Sequence, residues 1–222
     1  PIFLSIPLDI SLQIFCINMI MEIRGGNMAR KTQISKEVIL EAALKMLIRD
    51  GYSAINIKTL SKEIGCSTQP LVWHFGNMEG LRKALAEYAL NYANEKMRSS
   101  VNGIEAFANV GMSYIEIAFE QPRLFSYLYM SGDSGFSAGN LDVFTTADEN
   151  SLMIEQIASQ LKIPTEKVSV FYRDMMIYTH GLASFIASGI VTSSKEEVAA
   201  MVKQTASAFL SQANKDEQGR NI

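Results

Sequence analysis

The chain has 222 residues, of which 48% are hydrophobic, and a formal net charge of −3. That length suits one larger or two smaller domains with a substantial core. Two distant cysteines, Cys16 and Cys66, exclude a disulfide framework and fit a reducing cytoplasm. The two histidines form no Cys/His cluster, so we expect no metal and no cofactor. The sequence also lacks a nucleophile elbow, a Walker loop and a dinucleotide fingerprint, and we therefore predict that the protein is not an enzyme.

The chain begins with an apolar stretch over residues 1–23. It lacks the basic start of a signal peptide, and Pro7, Asp9 and Gln13 interrupt it too often for a membrane span. Met28 opens a run typical of a natural protein start. We hypothesise that residues 1–27 are a non-native or upstream-translated extension, and mass spectrometry of the natively expressed protein tests this. A membrane-anchored protein is an alternative that rests on these residues alone.

The next segment predicts three helices. An amphipathic helix runs from Ser35 to Asp50. Asn56 can cap a second helix that ends near Ile64, because its side-chain oxygen can accept from a free N–H of the first turn. Gly65 then occupies a turn where positive φ is expected, and Ser67 is predicted to cap the third helix.

Within the third helix, Pro70 lies in the first turn, where its missing N–H costs little. Leu71 and Phe75 are four residues apart and are expected to point inward. The residues left facing outward are Thr68, Gln69, Val72, Trp73 and His74. Two short helices around a glycine turn can place the second one in the DNA major groove, although an ordinary helical hairpin gives the same pattern.

The charge distribution is consistent with DNA binding. Residues 28–98 carry 11 Lys and Arg against 7 Asp and Glu, whereas residues 99–222 carry 8 against 14. A basic first part beside an acidic remainder suits a DNA-facing domain joined to one that avoids DNA. Chance variation could also produce a surplus this small.

Several runs match a known family in order and spacing. They are Ile39-Leu40-Glu41-Ala42-Ala43, Gly51-Tyr52, Leu60-Ser61-Lys62-Glu63-Ile64-Gly65-Cys66-Ser67 and Leu71-Val72-Trp73-His74-Phe75-Gly76-Asn77. The segment from about Ser35 to Leu85 therefore resembles the TetR family of bacterial transcriptional regulators. The resemblance implies an all-α protein: a three-helix DNA-binding domain with a helix-turn-helix, followed by a larger helical ligand-binding and dimerisation domain.

Three positions depart from the family pattern. Many members carry tyrosine at the position of Val72 and lysines at those of Gly76 and Met78, where they contact DNA. Their absence implies weaker or differently distributed phosphate contacts. The residues predicted to contact DNA are Arg30, Lys31, Asn56, Lys58, Ser67, Thr68, Gln69, Val72, Trp73, His74 and Asn77.

The remainder of the chain is also predicted to be helical. Helices are expected over Gly103–Glu120 and Pro122–Met130, then to about Leu161 with a break near 145–148, then to Ser188 with Thr165 as its cap. Ser194 and Glu197 form a capping box for a last helix to about Ala213. The predicted domains are 28–80 for DNA binding, 81–98 as a connecting helix, 99–214 for regulation and dimerisation, and 215–222 as a polar tail.

Aromatic and polar residues of the second domain permit a ligand pocket among its helices. The candidates are Phe107, Tyr114, Phe125, Tyr129, Met175, Tyr178 and His180. Pockets are mostly apolar with a few placed polar groups, which tyrosine and histidine supply. For any single residue a place in the core is the simpler interpretation. Parts of this domain, including Tyr178-Thr179-His180-Gly181, resemble the ligand-binding domain of many TetR-type regulators.

The last two long helices are predicted to form a dimer interface. Small residues would allow close approach, and apolar ones would supply area: Gly181, Ser184, Phe185, Ile186, Ala187, Ser188, Val202 and Phe209. Two helices from each partner would make a four-helix bundle, although a purely internal interface is the alternative.

Together these features predict a cytoplasmic, dimeric transcriptional regulator that binds a palindromic double-stranded operator. We expect a repressor that a small-molecule effector releases from DNA, with no membrane association. A DNA-binding activator or a nucleoid-associated protein is the first alternative, and a helical enzyme is a remote one.

Overall fold

The computed structural model describes residues 34–135 and 143–218. Throughout these residues the secondary structure is helical, without strands, which agrees with the predicted all-α class. The helices are α1 (Lys36–Asp50), α2 (Ile57–Ile64), α3 (Gln69–Phe75), α4 (Met78–Met97), α5 (Gly103–Glu120), α6 (Pro122–Tyr129), α7 (Val143–Thr146), α8 (Asp148–Leu161), α9 (Thr165–Ala187) and α10 (Lys195–Gln218), with a short 3-10 helix over Tyr52–Ala54.

Local capping residues set the boundary of α2, as the sequence predicts, and that of α4. Asn56 Oδ1 accepts from the N–H groups of Lys58 and Thr59 at 3.0 and 2.9 Å, and Thr59 Oγ1 accepts from the Asn56 N–H. Gly65 ends α2 in the left-handed region at φ 74°, where a side chain would be strained. Asn77 caps α4 by accepting from the Gly80 N–H at 3.0 Å. The first orphan amides of both helices thus have partners.

Three predicted boundaries are wrong. The N-cap of α3 is Thr68, not Ser67, and it makes no side-chain capping bond. A cap at Ser67 would place Pro70 at the third helical position, where proline offers no N–H to a capping side chain. Thr165 is the first residue of α9 and not its cap, because the backbone becomes helical directly after Pro164.

The third error concerns the C-terminal end. The helix α10 continues to Gln218 instead of ending near Ala213, so residues 215–218 are not an irregular tail. No glycine or proline occurs between Lys195 and Gln218 to stop it, and the first glycine is Gly219. The capping box at the other end is confirmed: the Ser194 N–H donates to Glu197 Oε2 at 2.9 Å, and the Glu197 N–H donates to Ser194 Oγ at 3.2 Å.

One helix, α6, joins the first three helices to the rest of the chain. It packs against α1 and α4 on one side and against α5 and α9 on the other. Its residues Leu124, Phe125, Tyr127 and Leu128 are all buried. A separate apolar cluster at the far end joins α8 to α9 through Ile154, Ile157, Val168 and Tyr172. The division into 28–80, 81–98 and 99–214 stays a prediction, and residues 1–27 lie outside the described part.

The capping pattern leads to a stability prediction. Replacing Asn56 with Ala should lower the free energy of unfolding by about 1 kcal/mol, because two amides lose their acceptor. Ser67→Ala is the matched control and should change it by less than about 0.5 kcal/mol, since Ser67 is exposed and does not cap. Urea unfolding of both variants measures the difference. Equal losses would mean that the Asn56 cap is not what stabilises α2.

Candidate nucleic-acid interface and ligand pocket

Two buried leucines fix the angle between α2 and α3. Leu60 and Leu71 are each 0% exposed, and Ser61 is buried beside them. The turn is closed by the Cys66 N–H, which donates to the Ser61 carbonyl at 2.9 Å. Because Leu71 anchors one side of α3 in the core, the opposite side of this helix has a fixed orientation.

That opposite face of α3 is exposed and largely apolar. Gln69, Val72 and Trp73 are three and four residues apart and therefore share one side of the helix. Trp73 is 67% exposed and Val72 is 47% exposed, while Leu71 on the other side is fully buried. His74 is half-buried, with its ring 4.5 Å from that of Trp73 in an edge-on arrangement. The predicted division of α3 into inward and outward residues is confirmed, except at its end. There Phe75, expected inward, and His74, expected outward, are both half-buried.

The other predicted DNA contacts have different placements. Lys58 is exposed at the start of α2, and Ser67 and Thr68 are exposed in the turn. The side-chain oxygens of Asn56 and Asn77 are engaged in capping. Arg30 and Lys31 lie outside the described residues. DNA contact by any of these residues remains a prediction.

Four of the seven predicted pocket residues come together. The Tyr114 hydroxyl and His180 Nδ1 form a hydrogen bond at 2.8 Å. The Tyr114 ring lies 5.0 Å from the rings of both Phe125 and Tyr129, and Phe125 lies 6.2 Å from His180. We call these four residues, from α5, α6 and α9, the aromatic cluster.

The remaining three pocket candidates are not part of these ring contacts. Phe107 stacks on Tyr172 at 4.5 Å and packs against the apolar cluster of α8 and α9, which is a core position. Met175 is buried, and Tyr178 is half-buried. Whether any of the seven contacts a ligand remains a prediction.

Burial controls the ionisation of the aromatic cluster. It raises the pKa of Tyr129 to about 12 and raises the pKa of Tyr114 further, so both hydroxyls stay protonated at neutral pH. His180 retains contact with solvent, but desolvation by its aromatic neighbours lowers its pKa below 6.5. At neutral pH the cluster is therefore uncharged, with one imidazole and two hydroxyls as its polar groups.

We expect His180 to titrate below pH 6.5 in the folded protein. Because its unfolded-state pKa is higher, the unfolded chain takes up the proton first, and stability falls as pH decreases below 6.5. NMR of the two histidines, with His74→Asn for assignment, measures the pKa. His180→Gln should remove this part of the pH dependence. Titration at or above 6.5 would contradict the assignment.

Two surface cavities are present that the sequence did not predict. One, of about 290 Å³, lies between α5 and the start of α10, where Lys195 Nζ contacts Glu116 and Glu120 at 3.3 and 3.0 Å. The other, of about 520 Å³, runs along α10 and is lined by Ala200, Lys203, Gln204, Ser207, Ala208 and Ser211. Small residues at 200, 207, 208 and 211 recur at helical spacing, and that pattern was the available signal for the second cavity.

The predicted dimer residues fall into exposed and internal groups. Phe185 is 51% exposed on α9, and a side-chain carbon added at Gly181 would meet no atom within 4 Å. Ser188 is also exposed, whereas Gly181, Ser184, Ala187, Val202 and Phe209 are half-buried. Ile186 is buried within the chain at 8%, so it cannot supply area to a partner as predicted. Ile177, one turn before Gly181 on α9, is 45% exposed.

The helix α6 connects the aromatic cluster to the first three helices through its two sides. Phe125 and Tyr129 are four residues apart and belong to the cluster. Arg123 and Tyr127 are also four apart, on the opposite side. Arg123 donates to the Arg49 carbonyl at the end of α1, and Tyr127 lies 5.0 Å from Tyr52. The Arg49 guanidinium in turn pairs with Glu63 of α2 at 2.9 Å.

Metal and membrane features were searched within residues 34–135 and 143–218. There, no group of three His, Cys, Asp or Glu side chains is arranged to hold a metal ion. No described helix combines the length and the apolar character that crossing a bilayer requires.

Comparisons with known proteins agree with this architecture. The profile of bacterial regulatory proteins of the tetR family matches residues 39–85. Over 59 residues the chain is 34% identical to an uncharacterized HTH-type transcriptional regulator, Rv0681, of Mycobacterium tuberculosis, and this segment is 27% of each protein. The matched part thus spans about a quarter of that relative.

A solved structure extends the likeness beyond the helix-turn-helix. The crystal structure of a TetR-like transcriptional regulator from Rhodococcus sp. RHA1 superposes with a TM-score of 0.56 at 14% identity, over 80% of this chain and 98% of that one. At this identity the likeness shows the fold. Residues 39–85 therefore match the tetR family of bacterial regulatory proteins, in the segment where the helix-turn-helix predicted the resemblance, and the rest of the chain shares the fold of a TetR-like regulator. The family and these relatives are regulators rather than enzymes.

Proposed function

We propose that the protein is a homodimeric transcriptional repressor of the cytoplasm whose α3 helices bind a palindromic operator and which a small molecule releases. The observation that supports DNA binding best is the outward face of α3. Exposed Gln69, Val72 and Trp73 stand on a helix fixed by the buried Leu71, inside the segment that matches the family. Exposing a tryptophan and a valine to water is unfavourable unless a partner covers them.

A palindromic operator needs two α3 helices, and dimerisation would supply the second one. The exposed Ile177 and Phe185 with the open Gly181 on α9, and the small residues that line the α10 groove, fit pairing with a second copy in a four-helix bundle. A twofold dimer would hold its two α3 helices about 34–36 Å apart, one turn of DNA, and would select an inverted repeat.

The aromatic cluster is the proposed effector site. Its rings and the Tyr114–His180 pair suit a partly apolar molecule with one or two polar groups. An effector bound against Phe125 and Tyr129 would shift α6. That shift would move Arg123, which contacts the end of α1, and Tyr127, which contacts Tyr52. The ligand acts only if it binds the form that does not bind DNA more tightly than the form that does. Shifting the ratio of these two forms from 1:99 to 99:1 requires a preference of about 5.5 kcal/mol. Equal effector affinity for free and DNA-bound dimer would contradict this mechanism.

Selection from a pool of random duplexes at low salt tests the proposed function. We expect an inverted repeat whose half-sites lie one helical turn apart. The control is the same selection with a Gln69→Ala, Trp73→Ala double variant, which changes two exposed α3 residues and should recover no repeat. A wild-type pool that stays indistinguishable from random sequence would overturn DNA binding as the function.

A further inference from the structure

The outward face of α3 has a distinctive chemistry that bears on which bases it can read. From residue 65 to residue 81 the chain contains no lysine and no arginine. The commonest specific contact to guanine is a bidentate bond from an arginine or a lysine side chain to O6 and N7. The helix therefore lacks the usual means of selecting a G·C pair.

The groups that the face does present suit an A·T pair. The Gln69 side chain is exposed at the start of α3, and glutamine can bond bidentately to adenine N6 and N7. Val72, one turn further along the same side, is 47% exposed and ends in two methyl groups. The thymine C5-methyl is the apolar group of the major groove, and it lies on the same pair edge as the adenine N6 and N7.

We propose that Val72 reads a thymine methyl group and that Gln69 reads adenine, so that A·T pairs form the part of each half-site that α3 contacts. This proposal rests on the proposed DNA-binding function and names the base chemistry of its target. The Trp73 ring, 67% exposed beside Val72, would exclude water from this contact.

Deoxyuridine provides a direct test, because it differs from thymidine only by the missing methyl group. In the operator recovered by selection, each thymine of one half-site is replaced in turn by deoxyuridine, and binding is measured by fluorescence anisotropy. We expect one position to weaken binding about fourfold, the effect of one buried methyl group at ~0.8 kcal/mol. In Val72→Ala, the ratio of the affinities for the thymine and uracil duplexes at that position should fall close to one.

Val170→Ala is the matched control. Val170 is 48% exposed, nearly the same as Val72, but lies on α9 away from the helix-turn-helix. This variant should keep the fourfold ratio even if its overall affinity changes. A selected half-site whose α3 contacts are G·C pairs, or a uracil penalty that persists in Val72→Ala, would overturn the proposal and leave DNA binding intact. Failure to recover any operator would instead overturn the proposed function.

Discussion

Gly181→Arg is expected to convert the dimer to a monomer and to weaken operator binding by roughly 10²–10⁴-fold, because one chain can then occupy only one half-site at a time. A Cβ atom added at this position would have no neighbouring atom within 4 Å, so the fold should tolerate the substitution. Between two copies the arginine would place a charge against the exposed Phe185 and Ile177 of the interface. Sedimentation velocity gives the oligomeric state, and anisotropy gives the affinity.

A matched charge on another helix separates interface loss from a general effect. Ser159→Arg introduces the same side chain at an exposed position of α8, outside the proposed interface, and should leave both dimer and affinity unchanged. If Gly181→Arg remains a dimer with wild-type affinity, the pairing of copies through α9 is wrong. The α10 groove would then need another occupant.

Trp73→Ala and Leu71→Ala are expected to have opposite effects, although the two residues are only two positions apart. Leu71→Ala should lower the free energy of unfolding by about 2–5 kcal/mol, since it empties a fully buried site. Trp73→Ala should leave stability nearly unchanged and weaken operator binding roughly 30-fold. That value corresponds to about 2 kcal/mol, from on the order of 80 Å² of ring surface buried against DNA.

Chemical denaturation and anisotropy on both variants test this pair. The decisive result is a loss of stability in Leu71→Ala together with a loss of operator affinity, at nearly unchanged stability, in Trp73→Ala. If Trp73→Ala instead destabilises the fold and retains operator affinity, the ring serves the protein core of the assembled dimer, and the outward face of α3 is not the DNA-contacting surface.

The sequence predicted the features that depend on a few neighbouring residues. Asn56, Gly65 and the pair of Ser194 and Glu197 act as expected, because capping involves contacts within three residues. Ser67 shows the limit of this reasoning. Its capping chemistry was suitable, but Pro70 withdraws one of the N–H groups that a capping side chain uses, and the helix begins after Thr68 instead.

Features that depend on tertiary packing were predicted less well. Phe107 and Tyr114 are seven residues apart and so share a face of α5, yet they are separated by roughly 10 Å along the helix axis. Periodicity could not show that Phe107 meets Tyr172 while Tyr114 meets His180. The two sides of α6 could not be assigned either, since each carries aromatic residues and only the fold shows which neighbour each side contacts.

The chain contains its own probe for the central claim, that the outward face of α3 enters the DNA. Trp73 is the single tryptophan, so the intrinsic tryptophan fluorescence reports on this surface alone. We predict that titration with the selected operator shifts the emission to the blue and protects it from acrylamide, reaching saturation at two chains per duplex. A complex that forms with full affinity while the emission and acrylamide accessibility of Trp73 stay those of the free protein would contradict the account.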